Sequence, residues 1–208
     1  MALEDFFSNF HLLIRWFHIL SGICWIGLLY FFNFVNIPLQ GSLDDATKKL
    51  VNPQLMPRAL WWFRWAAMST FLMGWILFTL KYMYTPGQGF GPTSLFSTES
   101  GLTARAVWIL MGMLFGSTMW FNVWFVIWPS QKKILSGQFS GDALTALRTR
   151  AAKASRVNTF LSGPMLFGMI GAPNYGAVNA VTLLVYIAIA MIVVKLAYTY
   201  SLKVGVKK

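Results

Sequence analysis

Five stretches of the chain stay apolar for the length of a bilayer crossing, and segments rich in charge, glycine or proline separate them. A spanning helix needs roughly 20 mainly apolar residues, and the runs 10–37, 60–84, 104–128, 156–172 and 178–202 meet that requirement. The fourth run is interrupted by Gly163, Pro164, Gly168 and Gly171, yet inside a bundle such a helix can be kinked and still span. Its opening, 155-SRVNTFLS-162, puts Ser155, Asn158 and Ser162 on one stripe at helical spacing, which should face other helices rather than lipid. Segment 140–156 reads as a short amphipathic helix leading into this span. With no internal repeat and no soluble segment, the pattern predicts one domain over 1–208: an all-α integral membrane protein with a bundle of about five transmembrane helices.

Composition agrees with the pattern. The 208 residues are 57% hydrophobic, 17% aromatic and only 11% charged, with a mean hydropathy of +0.58, far from globular norms. The formal net charge of +11 is concentrated in 132-KKILSGQFSGDALTALRTRAAKASR-156 and 203-KVGVKK-208, with Lys48, Lys49 and Arg58 as a smaller group. Basic loops of this kind mark the cytoplasmic side of an inner-membrane protein, and they do not form a nucleic-acid surface, so no nucleic-acid partner is expected. Alternation then sets the N-terminus outside, the C-terminus inside, and the 40–58 loop on the cytoplasmic side. The opposite side receives the acidic N-terminus, the Gly/Pro/Ser-rich loop 85-TPGQGFGPTSLFSTESG-101 and the turn 173-PNYGAVN-179. MALEDFFSNF lacks a basic n-region and a small-residue cleavage site, so the first span is expected to stay in the mature protein. Trp61, Trp62, Trp65, Tyr82, Tyr84 and Trp128 stand at span ends, where interfacial aromatic belts form.

The distribution of polar chemistry narrows the function. Glu4, Asp5, Asp44, Asp45, Glu99 and Asp142 all lie in loops or at the terminus, and a proton-coupled pump or transporter generally needs a carboxylate within the membrane. Two histidines and the single Cys24 cannot close a zinc shell, and Cys24 reads as a small buried hydrophobe. What remains is the first helix, where His11, Arg15, His18, Gly22, Trp25 and Leu29 recur at i, i+4, i+7, i+11, i+14 and i+18, one continuous face. Haem b needs an axial imidazole, room for a flat ring, and cations near its propionates. His18 (to the haem iron), Gly22 and Arg15 offer these in order, with His11 and Trp25 on the same stripe. A second axial ligand must come from another helix: Met165 or Met169 on span four, Met111, Met113 or Met119 on span three, or none if the haem is five-coordinate. The competing reading is structural, with His11 bonding headgroups and His18 a neighbouring helix. Arg15, Arg64 and Lys195 can snorkel, while Asn122 and Asn158 call for interhelical hydrogen bonds.

Three blocks carry a resemblance. The run 15-RWFHILSGICWIGLLYFFNFVNIP-38 resembles the first helix of the membrane domain of PuuD-type urate hydroxylases, the urate oxidase N-terminal family. The likeness continues at 120-WFNVWFVIWPSQKKIL-135 and 151-AAKASRVNTFLSGPMLFGM-169. A shorter pattern, His18, Gly22, Trp25 and Gly27, is also similar to the opening helix of bacterial membrane protoporphyrinogen oxidases and copper-resistance D-type proteins. The resemblance implies a multi-pass redox protein of the bacterial inner membrane, an oxidoreductase if it is an enzyme, whose full-length relatives add a C-terminal cytochrome c module. The chain carries no Cys-x2-Cys-His motif and has 171-GAPNYG-176 where the family pattern would place a histidine. The shortened chain is thus expected either to bind haem b and pass electrons to other membrane subunits or a separate cytochrome c, or to serve as a non-catalytic accessory subunit of a larger complex. A small-molecule transporter is the third possibility.

Overall fold

The computed structural model describes residues 5–205, so the outermost N-terminal residues and the end of the basic tail lie outside it. Its helices are α1 (Phe6–Tyr30), α2 (Ile37–Ser42), α3 (Asp45–Tyr82), α4 (Ala104–Phe121), α5 (Trp128–Leu135), α6 (Gly141–Asn174) and α7 (Ala180–Ser201). Six-residue π-helical stretches, Phe31–Asn36 and Asn122–Ile127, join α1 to α2 and α4 to α5, so each pair forms one long rod. Four helical units, Phe6–Ser42, Asp45–Tyr82, Ala104–Leu135 and Ala180–Ser201, are long and apolar enough to cross a membrane. The fifth, α6, is 34 residues long but more polar, because it lies among the others and bonds to them. Ring pairs at opposite ends, Phe7 with Tyr84 and Phe34 with Tyr198, show α1 running its whole length beside the bundle.

The helices overrun the sequence-predicted spans at one end. α3 has 38 residues, about 57 Å at 1.5 Å per residue, against a hydrocarbon core of about 30 Å. The excess is Asp45–Arg58, within the 40–58 segment expected as a loop, yet helical through Pro53 and Pro57. Asp44 starts it: the carboxylate accepts from the Thr47 N–H at 2.9 Å and the Thr47 hydroxyl at 2.7 Å. Likewise α6 runs unbroken from the amphipathic 140–156 segment into span four. These extensions and α5 carry Lys48, Lys49, Arg58, Lys132, Lys133, Arg148, Arg150, Lys153 and Arg156, all at the same end of the bundle. At the other end the 85–101 loop forms two small antiparallel hairpins, β1 (Tyr84–Thr85) with β2 (Gly89–Phe90) and β3 (Ser97–Thr98) with β4 (Gly101–Leu102). Two-residue strands carry no alternation for a sequence reading to detect.

Each π-helical stretch leads into a proline, Pro38 or Pro129. The Ile37 N–H reaches back five residues to the Phe32 carbonyl, and the Trp128 N–H to that of Val123. Such register changes leave nearby carbonyls short of donors, and asparagines supply them. The Asn33 amide donates to Leu29 O at 2.9 Å and to Ser155 Oγ at 2.8 Å. Asn158 donates to Met119 O at 2.9 Å and accepts from Asn122 at 2.8 Å. Asn33, Asn158, Thr159 and Ser162 are all fully buried, so the polar stripe of α6 faces its neighbours, with Tyr30 OH and Ser162 Oγ 2.8 Å apart.

The α6 glycines do not break the helix; they let it touch. A Cβ on Gly168 would stand 2.7 Å from the Gly112 nitrogen and 2.8 Å from the Trp108 carbonyl oxygen, and one on Gly163 would stand 2.6 Å from Ala190 O. Backbone approach of this closeness is what small residues provide between membrane helices, where lipid removes the hydrophobic drive to associate. The main core combines Trp25, Leu29, Phe63, Ala67, Met119 and Val123, and a smaller one forms around Trp108.

Candidate functional site

His18 lies on the face of α1 that meets α3. Its Nδ1 is 2.9 Å from the Thr70 carbonyl oxygen. A carbonyl only accepts, so Nδ1 carries the proton and the neutral ring keeps its lone pair on Nε2. Gly74, one turn beyond Thr70, makes this contact possible: a Cβ there would stand 3.1 Å from His18 Cε1. An imidazole whose second nitrogen is tied to a backbone carbonyl is the arrangement that orients metal-bound histidines.

Beyond that ring lies a cavity of about 50 Å³, open on one side, between α3 and α4 and floored by α1 and α6. From α1 it receives His18 and Trp25, and from α3 Thr70, Phe71, Gly74 and Trp75. From α4 come Met113, Gly116 and Ser117, and from α6 Met165 and Met169. The walls are therefore flat rings, thioethers and glycine, with one imidazole: apolar surface with a single strong ligand. α3 and α4 do not close on each other because aromatic pairs hold them apart, Phe71 stacked on Trp120 at 4.1 Å and Trp65 against Trp124 at 5.6 Å.

Of the residues expected from sequence, His18, Trp25, Met165 and Met169 come together on this cavity, and Met113 joins them. His11, Arg15 and Gly22 are not among its lining residues. Gly22 instead faces α3, where an added Cβ would stand 3.8 Å from Thr70 Cγ2. Met111 and Met119 are buried in the helix packing. Sequence reasoning did not reach Thr70, Phe71, Gly74 or Trp75; the Thr70 and Gly74 pair, four apart and so on one face of α3, was the available signal. Among the described residues no group of three or more His, Cys, Asp or Glu could hold a metal ion.

Arg64 stands on α3 six residues before Thr70, outside the lining of the cavity. Its guanidinium carbon lies 3.9 Å from the Trp128 ring centre and 5.4 Å from those of Trp65 and Trp124. Cation–π contacts of this kind are worth about 0.5–2 kcal/mol each, and they hold a cation between α3 and the α4–α5 rod.

Residues 92–204 match the family model described as urate oxidase N-terminal. The match takes in α4 to α7 and two of the three resembling blocks, 120–135 and 151–169, whereas α1 and α3, with His18 and Thr70, precede it. No curated protein and no solved structure matches the chain.

Proposed function

The chain belongs to the urate oxidase N-terminal family, and from that premise we propose that it is a membrane-embedded electron-transfer subunit related to the membrane part of urate hydroxylases, binding haem b through His18. The observation that carries the reading is the imidazole itself: Nδ1 tied to Thr70 O at 2.9 Å, the lone pair of Nε2 left free, and a cavity lined by aromatic rings and thioethers beside it. The donor set suits the group, and α3 and α4 would have to part to admit it, because the cavity of about 50 Å³ is smaller than a porphyrin. His18 would hold the iron, Met165 or Met169 would offer a thioether, and Phe71, Trp75 and Gly116 would lie beside the ring. Bound there, haem would supply one-electron redox chemistry.

The protein's own contribution is orientation and exclusion. Thr70 and Gly74 fix the imidazole plane, and the apolar walls keep water from the ligand. An oxidoreductase role, with electrons passing to other membrane subunits or to a separate cytochrome c, follows from the reading. So does residence in a bacterial inner membrane with the N-terminus outside, which the gathering of basic residues at the opposite end supports. The accessory-subunit reading draws on α7, whose buried residues are only Val194 and Ser201, leaving an apolar face for lipid or a neighbouring subunit. The deciding measurement is a dithionite-reduced minus oxidised spectrum of the purified protein. An α-band in the haem b region that disappears in His18→Ala is expected; well-folded wild type without haem would sink the reading.

A further inference from the structure

A cation on a membrane helix is expected to pair with an acid or a carbonyl, and Arg64 does neither. Among the described residues its contacts are the indole rings of Trp128, Trp65 and Trp124, and no carboxylate or carbonyl accepts from it. Its Nε is sealed in the packing without a hydrogen-bond partner, whereas the terminal nitrogens keep an open edge. Trp124, whose ring centre lies 5.4 Å from the guanidinium carbon, adds a second sealed and unpartnered donor, Nε1. Buried donors are almost always satisfied. The acid at the start of the same helix, Asp45, is about 28 Å away along the axis and pairs with Lys48. An acceptor for Arg64 must therefore come from outside the chain.

The depth of Arg64 says which kind. Lys81, in the last turn of α3, stands about 25 Å from Arg64 along the axis, close to the thickness of a hydrocarbon core of about 30 Å. With Lys81 at one boundary, Arg64 is near the other. Trp61, Trp62 and Trp65, which are 49%, 59% and 42% exposed, mark the same level, as indoles do where acyl chains meet headgroups. On the opposing rod, Lys132 follows Trp128 by four residues in α5 and so shares its face. It is exposed and has no carboxylate partner, and it lies one turn nearer the basic end. A guanidinium grips phosphate oxygens in pairs, and basic recesses between membrane helices receive anionic headgroups.

We propose that Arg64, walled by Trp65, Trp124 and Trp128 and with Lys132 at the rim, binds the phosphate of one anionic phospholipid between α3 and the α4–α5 rod. The site offers two cations and no acid, so it favours a headgroup with net negative charge over a zwitterionic one. It is separate from the cavity beside His18 and does not depend on what that cavity holds.

The test uses the full chain, delipidated in neutral detergent and titrated with phosphatidylglycerol or with phosphatidylcholine of the same acyl chains. Native mass spectrometry counts the lipids retained and gives the affinity of the first. Wild type should bind one phosphatidylglycerol about tenfold or more tightly than phosphatidylcholine, the scale of a charge-assisted hydrogen bond. Arg64→Gln should erase that preference and Arg64→Lys should restore part of it. Lys132→Gln, at an exposed position, should lower it by about threefold without touching the packing. Arg148→Gln, which removes the same charge from α6, should leave it intact, and so should His18→Ala, whose effect on a haem spectrum belongs to the functional reading alone. Equal affinity for the two lipids in wild type, or a preference that survives Arg64→Gln in protein with unchanged circular dichroism, would overturn the proposal. Displacement of the lipid by millimolar inorganic phosphate would assign Arg64 to a free anion and overturn it as well. So would Arg64→Gln, as extracted, losing a stoichiometric protein partner in place of lipid.

Discussion

The contact between α4 and α6 gives the sharpest test of the packing. Gly168→Ala adds one methyl group at a point where the ideal Cβ would lie 2.7 Å from Gly112 N, 2.8 Å from Trp108 O and 2.9 Å from Gly112 Cα. These atoms belong to the backbone of α4, so no side chain can rotate away. Nonbonded heavy atoms prefer about 3.5 Å or more, and the helices must part by roughly 0.7 Å locally to admit the methyl. Overpacking of this kind costs about 1–3 kcal/mol, and in a chain of this size each kcal/mol moves Tm by about 2–4 °C. A fall of about 2–12 °C is therefore expected, measured by thermal unfolding followed by tryptophan fluorescence in detergent. Gly116→Ala is the internal control, because its Cβ would meet Met165 Cγ at an ordinary 3.7 Å. If Gly168→Ala melts with Gly116→Ala and wild type, the close approach of the two backbones is wrong, and with it the placement of Met165 and Met169 beside the cavity.

Two further outcomes follow from the buried polar contacts and the helix caps. Asn158→Leu removes the donor to Met119 O and the acceptor for Asn122; each orphaned buried group costs about 1–3 kcal/mol, so a lower midpoint in the same melt is expected, and Asn122→Leu in that background should cost little more because its partner is already gone. The Asp44 carboxyl is held below its ordinary value, chiefly by the backbone N–H and then the hydroxyl of Thr47. A lowered folded pKa contributes stability that is present above the ordinary value near 3.9 and is lost as pH falls through the folded one. Asp44→Ala should therefore melt below wild type at pH 7, and the gap should close as pH falls through the folded carboxyl's lowered pKa; a gap that stays constant on acidification would rule out the charged cap.

How much was legible in the sequence depended on the range of the interaction. The α1 stripe is local geometry: residues spaced by 3.6 share a face, so His18 and Trp25 emerge on one cavity as the spacing requires. Arg15 and His11 share that stripe but are absent from the lining, because a stripe about 25 Å long faces different neighbours at different depths. The glycines of α6 looked like breaks, since glycine weakens an isolated helix; packing reversed their meaning, because α4 uses the missing Cβ atoms to reach the backbone. The 40–58 segment was likewise expected as a loop, yet the Asp44 cap and the length of α3 carried the helix through Pro53 and Pro57.

Hydrophobic patterning, charge asymmetry and helical periodicity are properties of neighbouring residues, and from them alone followed the helical, membrane-type architecture, the gathering of basic residues at one end and the choice of His18. Which carbonyl orients that histidine and which thioethers stand near it depended on residues about 50 to 150 positions apart meeting across helices. Thr70, Gly74 and Met165 became a site only when α3 and α6 packed on α1, because their proximity comes from interhelical contacts that no local spacing encodes.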